Sequence, residues 1–307
     1  MSKRFHGVLP AIVTPVDAKG RFDEVAYEKL VSFVYSEGVH GLYVCGQTGE
    51  GLQQDPAQRK RVAEASVRLS PKGKQVIVHV GAYNTATAID LARHAERAGA
   101  TAISSLAPSG PFSFPEVVRY YEAVAGATSL PLFVYHFPPG TAAIRTIEDL
   151  ERLLQIPNVV GLKFTDTNLY IMGEVKRTGA LIYNGADEMF SGGMLFGADG
   201  GIGSFYNIVP RMFVEMYESA QRGDWERARE LQKPVNHLIR LALRYPGIAA
   251  VKSILEWMGL PCGGPIGPRR GLTAEEKAEL WAALEDSAAK PVSQSKKRTP
   301  VKASAAR

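Results

Sequence analysis

A lysine inside an otherwise apolar run is the residue of this chain with the plainest chemical meaning. Lys163 stands in VVGLKFT (159–165), flanked by Leu162 and Phe164. A lone buried ammonium is strongly disfavoured. Lys163 therefore pairs with a carboxylate of a neighbouring strand, points out between helices, or serves as an amine that attacks a carbonyl to form a Schiff base. A second run, LPLFVYHF (130–137), ends in Tyr135 and His136. Tyr135 is either a core tyrosine with a satisfied hydroxyl or an acid–base group serving a carbinolamine or aldol oxygen. Gly46-Gln47-Thr48-Gly49-Glu50-Gly51 follows another run. Such a small-residue turn leaves backbone N–H groups and the Thr48 hydroxyl free to hold a carboxylate. Its glycine spacing is not that of a dinucleotide fingerprint. Asp187 and Glu188, in NGADE (184–188), could accept hydrogen bonds from a polyol, or Asp187 could simply cap the next helix. The glycine-rich stretch from Gly200 to Ser204 could hold a phosphate or make a tight turn.

The elements that must position these residues alternate with a beat of about 25–30 residues. Short β-branched or glycine-rich runs lie at 8–15, 41–46, 75–81, 101–108, 130–137, 159–165, 180–185 and 200–205. Segments of helical spacing separate them, with Val25, Leu30, Phe33 and Val34 on one face and Ala88, Leu91, Ala95 and Ala98 on another. Asp23 and Asp55-Pro56 read as helix starts, and Gly38 and Gly99 as helix ends. Eight strand–helix units predict an α/β fold, a (β/α)8 barrel over residues 1–223. A helical extension of the same domain follows over 224–289, with Trp225, Ala228, Leu231 and Leu238 on one face. Pro234 is expected to kink or split that first extra helix. A doubly wound open sheet is the runner-up.

Composition excludes several classes. The chain has 307 residues, 45% hydrophobic and 22% charged, as an ordinary globular protein does. Two cysteines rule out a disulfide scaffold and fit a reducing compartment. Six histidines without i, i+4 pairing or a cysteine cluster predict no metal site. No apolar run has transmembrane length, and the first ten residues lack the apolar core of a secretion signal, so a cytoplasmic protein is expected. The net charge of +5 comes from residues 290–307, which carry six basic residues and no acid; without them 30 basic residues face 31 acidic ones. That tail is expected to be disordered and solvated, with neither nucleic acid nor membrane as partner.

Taken together, GQTGEG (46–51), YHFP (135–138), GLKFTDTNLY (161–170), NGADE (184–188) and GGIGSFYN (200–207) resemble the dihydrodipicolinate synthase/N-acetylneuraminate lyase superfamily, and within it the lyase branch. The resemblance runs from about residue 7 to 270. It implies a homotetrameric class I aldolase on a (β/α)8 barrel without metal or organic cofactor. Lys163 is then the Schiff-base lysine and Tyr135 the acid–base tyrosine. Thr48, with Gln47 beside it, meets the 2-oxo acid carboxylate, and Thr165, Gly185, Asp187, Glu188 and Ser204 match positions that hold a sugar-acid tail.

Three departures bear on the substrate. Gly140 stands where the synthases carry an arginine, which counts against a synthase. Gln47 replaces the usual Ser or Thr, and LAPSGPFSFPE (106–116) lacks the tyrosine contributed across a subunit interface. The implied reaction is cleavage of a 2-oxo-3-deoxy sugar acid, best matched by N-acetylneuraminate giving N-acetylmannosamine and pyruvate. Other 2-oxo acid aldolases or dehydratases of the superfamily, and a catalytically silent small-molecule binding protein, are the alternatives.

Overall fold

Each apolar run contributes only four to six residues to a strand, and nearly all of them are buried. The strands are β1 (Gly7–Pro10), β2 (Gly41–Val44), β3 (Gln75–His79), β4 (Ala102–Ser105), β5 (Leu132–His136), β6 (Val159–Phe164), β7 (Leu181–Asn184) and β8 (Gly200–Gly203). In this computed structural model they form one parallel sheet in the order β1-β8-β7-β6-β5-β4-β3-β2. His40 N–H donates to Val8 O (2.9 Å) and Ile12 N–H to Tyr43 O (2.9 Å), which closes the seam between β1 and β2. The result is a (β/α)8 barrel, and the open-sheet alternative falls on that closure. The structure describes residues 4–140, 142–285, 287 and 290–291. The tail expected over 290–307 lies outside the described residues apart from Lys290 and Pro291.

Helices α1 (Glu24–Ser36), α2 (Pro56–Leu69), α3 (Thr85–Ala98), α4 (Phe114–Ala125), α5 (Ile147–Leu154), α6 (Leu169–Lys176), α7 (Phe190–Leu195) and α8 (Pro210–Gln221) alternate with the strands. Their starts follow the expected chemistry. Asp23 accepts from Ala26 N–H and Asp55 from Gln58 N–H, contacts of the kind that contribute about 1 kcal/mol each. Gly99 ends α3 in the left-handed conformation. One expectation for α1 fails: Val25 is 67% exposed, and Tyr27 takes the inward position instead. The aromatic ring offers more apolar area to the core than Val25 does, and its hydroxyl bonds the Ser66 hydroxyl at 2.6 Å.

Side-chain alternation divides the interior in two. One set, including Leu162, Phe164, Val134 and Ile182, packs between strands and helices. The other, including Leu9, Tyr43, Phe133, Tyr135, Tyr183 and Ile202, fills the lumen. At β8 the sequence Gly200-Gly201-Ile202-Gly203 lets neighbours approach the backbone: a Cβ on Gly200 would lie 2.0 Å from Gly7 O, and one on Gly201 would lie 2.6 Å from the Phe190 ring.

After the barrel come α9 (Trp225–Ala242), α10 (Gly247–Trp257) and α11 (Ala274–Glu285). α9 is not split: it runs continuously through Pro234. Burial of Leu231, Val235 and Leu238 on one face holds the helix across the hydrogen bond that proline cannot make. Trp225, placed on that face from the sequence, is 39% exposed at the helix start.

Candidate active site

Period-two alternation puts Lys163 in the lumen. Its chain neighbours Leu162 and Phe164 face the helices, so Lys163 shares the inner face with its register partners Tyr135 on β5 and Tyr183 on β7. Lys163 is 4% exposed. Its Nζ lies 3.9 Å from the ring centroid of Tyr135 and 4.6 Å from that of Tyr43. No carboxylate among the described residues forms an ion pair with it, which removes the structural pairing considered from the sequence. Two aromatic faces thus pack against the amine. Tyr135 is equally buried and its ring packs edge-on against Tyr43 and His79, each at 6.1 Å. Its hydroxyl makes no hydrogen bond to another of the described residues.

His79 looks like a rival acid–base group but is committed elsewhere. Burial, with the charges of Arg59 and Lys163, holds its imidazole well below the usual histidine range. Nδ1 lies 3.1 Å from Cys45 O and Nε2 accepts from Leu106 N–H at 3.1 Å, which fixes the neutral tautomer with the proton on Nδ1. Arg59, itself buried, donates to His79 O (2.7 Å) and Gly81 O (2.9 Å) and so anchors the end of β3. His136 faces away from the lumen, stacked on Phe164 at 4.9 Å with Nε2 at 3.6 Å from Asp166.

The loop after β2 wraps tightly because its glycines have no side chains. A Cβ on Gly51 would lie 1.9 Å from Cys45 O, and one on Gly49 would lie 2.9 Å from Ile12 O. Thr14 Oγ1 (2.8 Å) and Gln54 Nε2 (2.7 Å) both donate to Gly49 O. Thr48, carried at the top of this loop, shares a 2.6 Å hydrogen bond with the hydroxyl of Ser204, so the loops after β2 and β8 meet. Gln47 is half-buried, its Oε1 accepting from Arg269 at 3.5 Å.

Thr165 and Gly185 are likewise in contact. Thr165 Oγ1 has no hydrogen-bond partner among the described residues, and a Cβ on Gly185 would stand 2.0 Å from it. Asp187 and Glu188 part company. Glu188 is exposed. The Asp187 carboxyl is buried over Gly203, on the helix side of β8, where Oδ2 accepts from Phe205 N–H at 2.8 Å and Oδ1 has no hydrogen-bond partner among the described residues. It does not cap the following helix. Burial, with a smaller contribution from Glu188, pushes its carboxyl up to about 7. Gln232 on α9 donates to Asp187 O (3.0 Å) and Asn236 to Glu188 O (3.0 Å), so this loop is held from behind.

Among the described residues no group of His, Cys, Asp and Glu could hold a metal, and no helix is long and apolar enough to cross a membrane. Tyr43, Arg59, Glu50 and Lys252 were not identified from the sequence as part of the site. Glu50 had a visible signal, an acid inside a turn of small residues. Tyr43 had none, because a tyrosine in a buried strand has no distinguishing spacing.

Residues 4–287 match the dihydrodipicolinate synthetase family. The chain belongs to that family. It is 37% identical over 277 residues to the N-acetylneuraminate lyase of Citrobacter koseri, covering 87% of this chain and 93% of that one. It is 35% identical over 276 residues to N-acetylneuraminate lyase 2 of Escherichia coli O6:H1, covering 87% and 90%. Among solved structures, the sialic acid aldolase of Ruminococcus gnavus superposes with a TM-score of 0.87 at 28% identity, covering 91% of this chain and 96% of that one.

Proposed function

We propose that this family member is a class I aldolase, a carbon–carbon lyase that cleaves a 2-oxo-3-deoxy sugar acid, with N-acetylneuraminate the best-matched substrate. The observation that carries the reading is Lys163: a buried amine against two tyrosine rings with no carboxylate partner among the described residues. Its nitrogen attacks C2 of the 2-oxo acid, water leaves, and the protonated imine becomes the electron sink. Tyr135 accepts the proton of the C4 hydroxyl as the C3–C4 bond breaks, releasing the aldehyde and leaving an enamine. Protonation at C3 and hydrolysis of the imine then free pyruvate and the lysine.

Thr48 and Gln47 hold the substrate carboxylate. Thr165, Gly185, Glu188 and Ser204 line the hydroxylated tail, and Asp187 supports the loop after β8 against it. The chain needs no metal or organic cofactor for this sequence of steps. A cytoplasmic homotetramer is the working assembly. The relatives named as N-acetylneuraminate lyases support the sugar-acid choice, and Gly140 disfavours a substrate with a second carboxylate, as the synthases use.

The test is borohydride reduction in the presence of pyruvate. The native protein should gain one reduced pyruvate adduct on the peptide containing Lys163, and release pyruvate from N-acetylneuraminate. Lys163→Arg should lose both. An adduct on another lysine, or none, sinks the Schiff-base reading; trapping without sugar-acid cleavage sinks the substrate choice alone.

A further inference from the structure

The turn that carries Thr48 is held from outside the barrel. Glu50 sits at φ 54°, ψ 33°, a left-handed conformation that a residue with a side chain adopts only when its surroundings compel it. The compelling contacts are buried: Glu50 is 0% exposed and Lys252, on α10, is 2% exposed, with Nζ 2.7 Å from Glu50 Oε2. Lys252 also donates to Gly264 O at 2.8 Å, and Ile266 N–H donates to Glu50 Oε1 at 2.7 Å. Arg269 completes the group, with Nη1 3.8 Å from Glu50 Oε1 and Nη2 donating to Gln47 Oε1 at 3.5 Å. The segment after α9 therefore grips the two residues, Gln47 and Glu50, that bracket Thr48.

The chemistry of Arg269 decides what Gln47 can offer. A guanidinium has only donors, so it selects the carboxamide oxygen and leaves the NH2 end as the free group of Gln47. An NH2 donor suits a carboxylate; the opposite flip would set oxygen against oxygen. We propose that Glu50, Lys252 and Arg269 are positioning residues through which the C-terminal segment shapes the carboxylate-binding turn, with Arg269 fixing the orientation of Gln47. The inference rests on the reading of this turn as the 2-oxo acid carboxylate site.

The experiment is a double-mutant cycle of Arg269→Met and Gln47→Ala, reading the pyruvate concentration for half-maximal borohydride trapping at Lys163. Each single variant should raise that concentration about 5-fold while the trapping rate at saturation stays within about 2-fold. The double variant should be no weaker than the weaker single one. Effects that multiply, or an unchanged half-saturation concentration, overturn the proposal. Arg269→Lys, which keeps the charge but loses the planar fork, should fall between native and Arg269→Met.

Amide hydrogen exchange over residues 46–53 without pyruvate gives a readout independent of the chemistry. Exchange should speed up there in Arg269→Met and stay unchanged in the β5 and β6 segments. Unchanged exchange at 46–53 overturns the positioning role. A native protein that pyruvate cannot label would instead refute the aldolase reading, and the exchange result would still decide this one.

Discussion

Tyr135 and Lys163 are register partners on adjacent parallel strands, with the lysine nitrogen 3.9 Å from the centroid of the tyrosine ring. The ring therefore has two separable duties, packing the amine and presenting a hydroxyl. Tyr135→Phe keeps the first and removes the second. Trapping with pyruvate should persist within a few-fold, whereas sugar-acid cleavage should fall roughly 100-fold or more. A parallel loss of both would mean that the hydroxyl serves imine formation as much as cleavage.

The Glu50–Lys252 contact is buried on both sides, and without Lys252 the Glu50 carboxylate is left with the more distant Arg269 and the Ile266 N–H. Lys252→Met should destabilise the fold by about 3–5 kcal/mol in urea unfolding. Adding Glu50→Gln in the same chain should recover part of that loss, since the stranded charge disappears. No recovery in the double variant would show that packing, not charge, dominates the loss.

Asp187 predicts a pH dependence with a definite sign. Its carboxyl is raised to about 7 in the folded chain from an ordinary 3.8. Between those values the folded state binds a proton that the unfolded state has released. Stability from this group therefore falls as pH rises through the window, and the full cost is present above about 7. Asp187→Asn cannot ionise and keeps an oxygen for Phe205 N–H. Unfolding measured at about pH 5 and about pH 8 should show a smaller difference for Asp187→Asn than for the native chain. Equal slopes would place the carboxyl in contact with water.

Glu188 is exposed, and Asn236 on α9 donates to its backbone oxygen. Glu188→Ala should lower kcat/KM for the sugar acid about 10-fold, the cost of a hydroxyl losing a charged acceptor. Pyruvate trapping and thermal midpoint should stay as they are. Equal impairment of trapping would make Glu188 structural.

Most of the strands are legible because a sheet covered on both faces needs apolar β-branched runs; β8, three glycines around Ile202, is not such a run. Lys163 was legible for the converse reason, a charge where the pattern forbids one. Val25 misled because its apolar side chain fits a helical spacing, while Tyr27 won the inward position through area and a hydroxyl partner. Asp187 and Glu188 are adjacent in sequence but turn to opposite environments, which spacing alone does not encode. The contact of Glu50 with Lys252 joins residues some 200 positions apart, and neither type is unusual in its own segment. Thr48 and Ser204 each stand out in the sequence, but their direct hydrogen bond depends on the closure of the seam between β1 and β2.

β8 offers almost no side chains, and that has a consequence for mutational tolerance. Methyl groups at Gly200, Gly201 and Gly203 would collide with the Gly7 carbonyl, the Phe190 ring and the Asp187 carboxyl. A saturation library should therefore find this strand among the least permissive segments of the chain, although a glycine has no side chain to lend to the reaction. Intolerance there would report crowding in the wall, and a search for active-site residues by lost activity alone would mistake that wall for the catalyst.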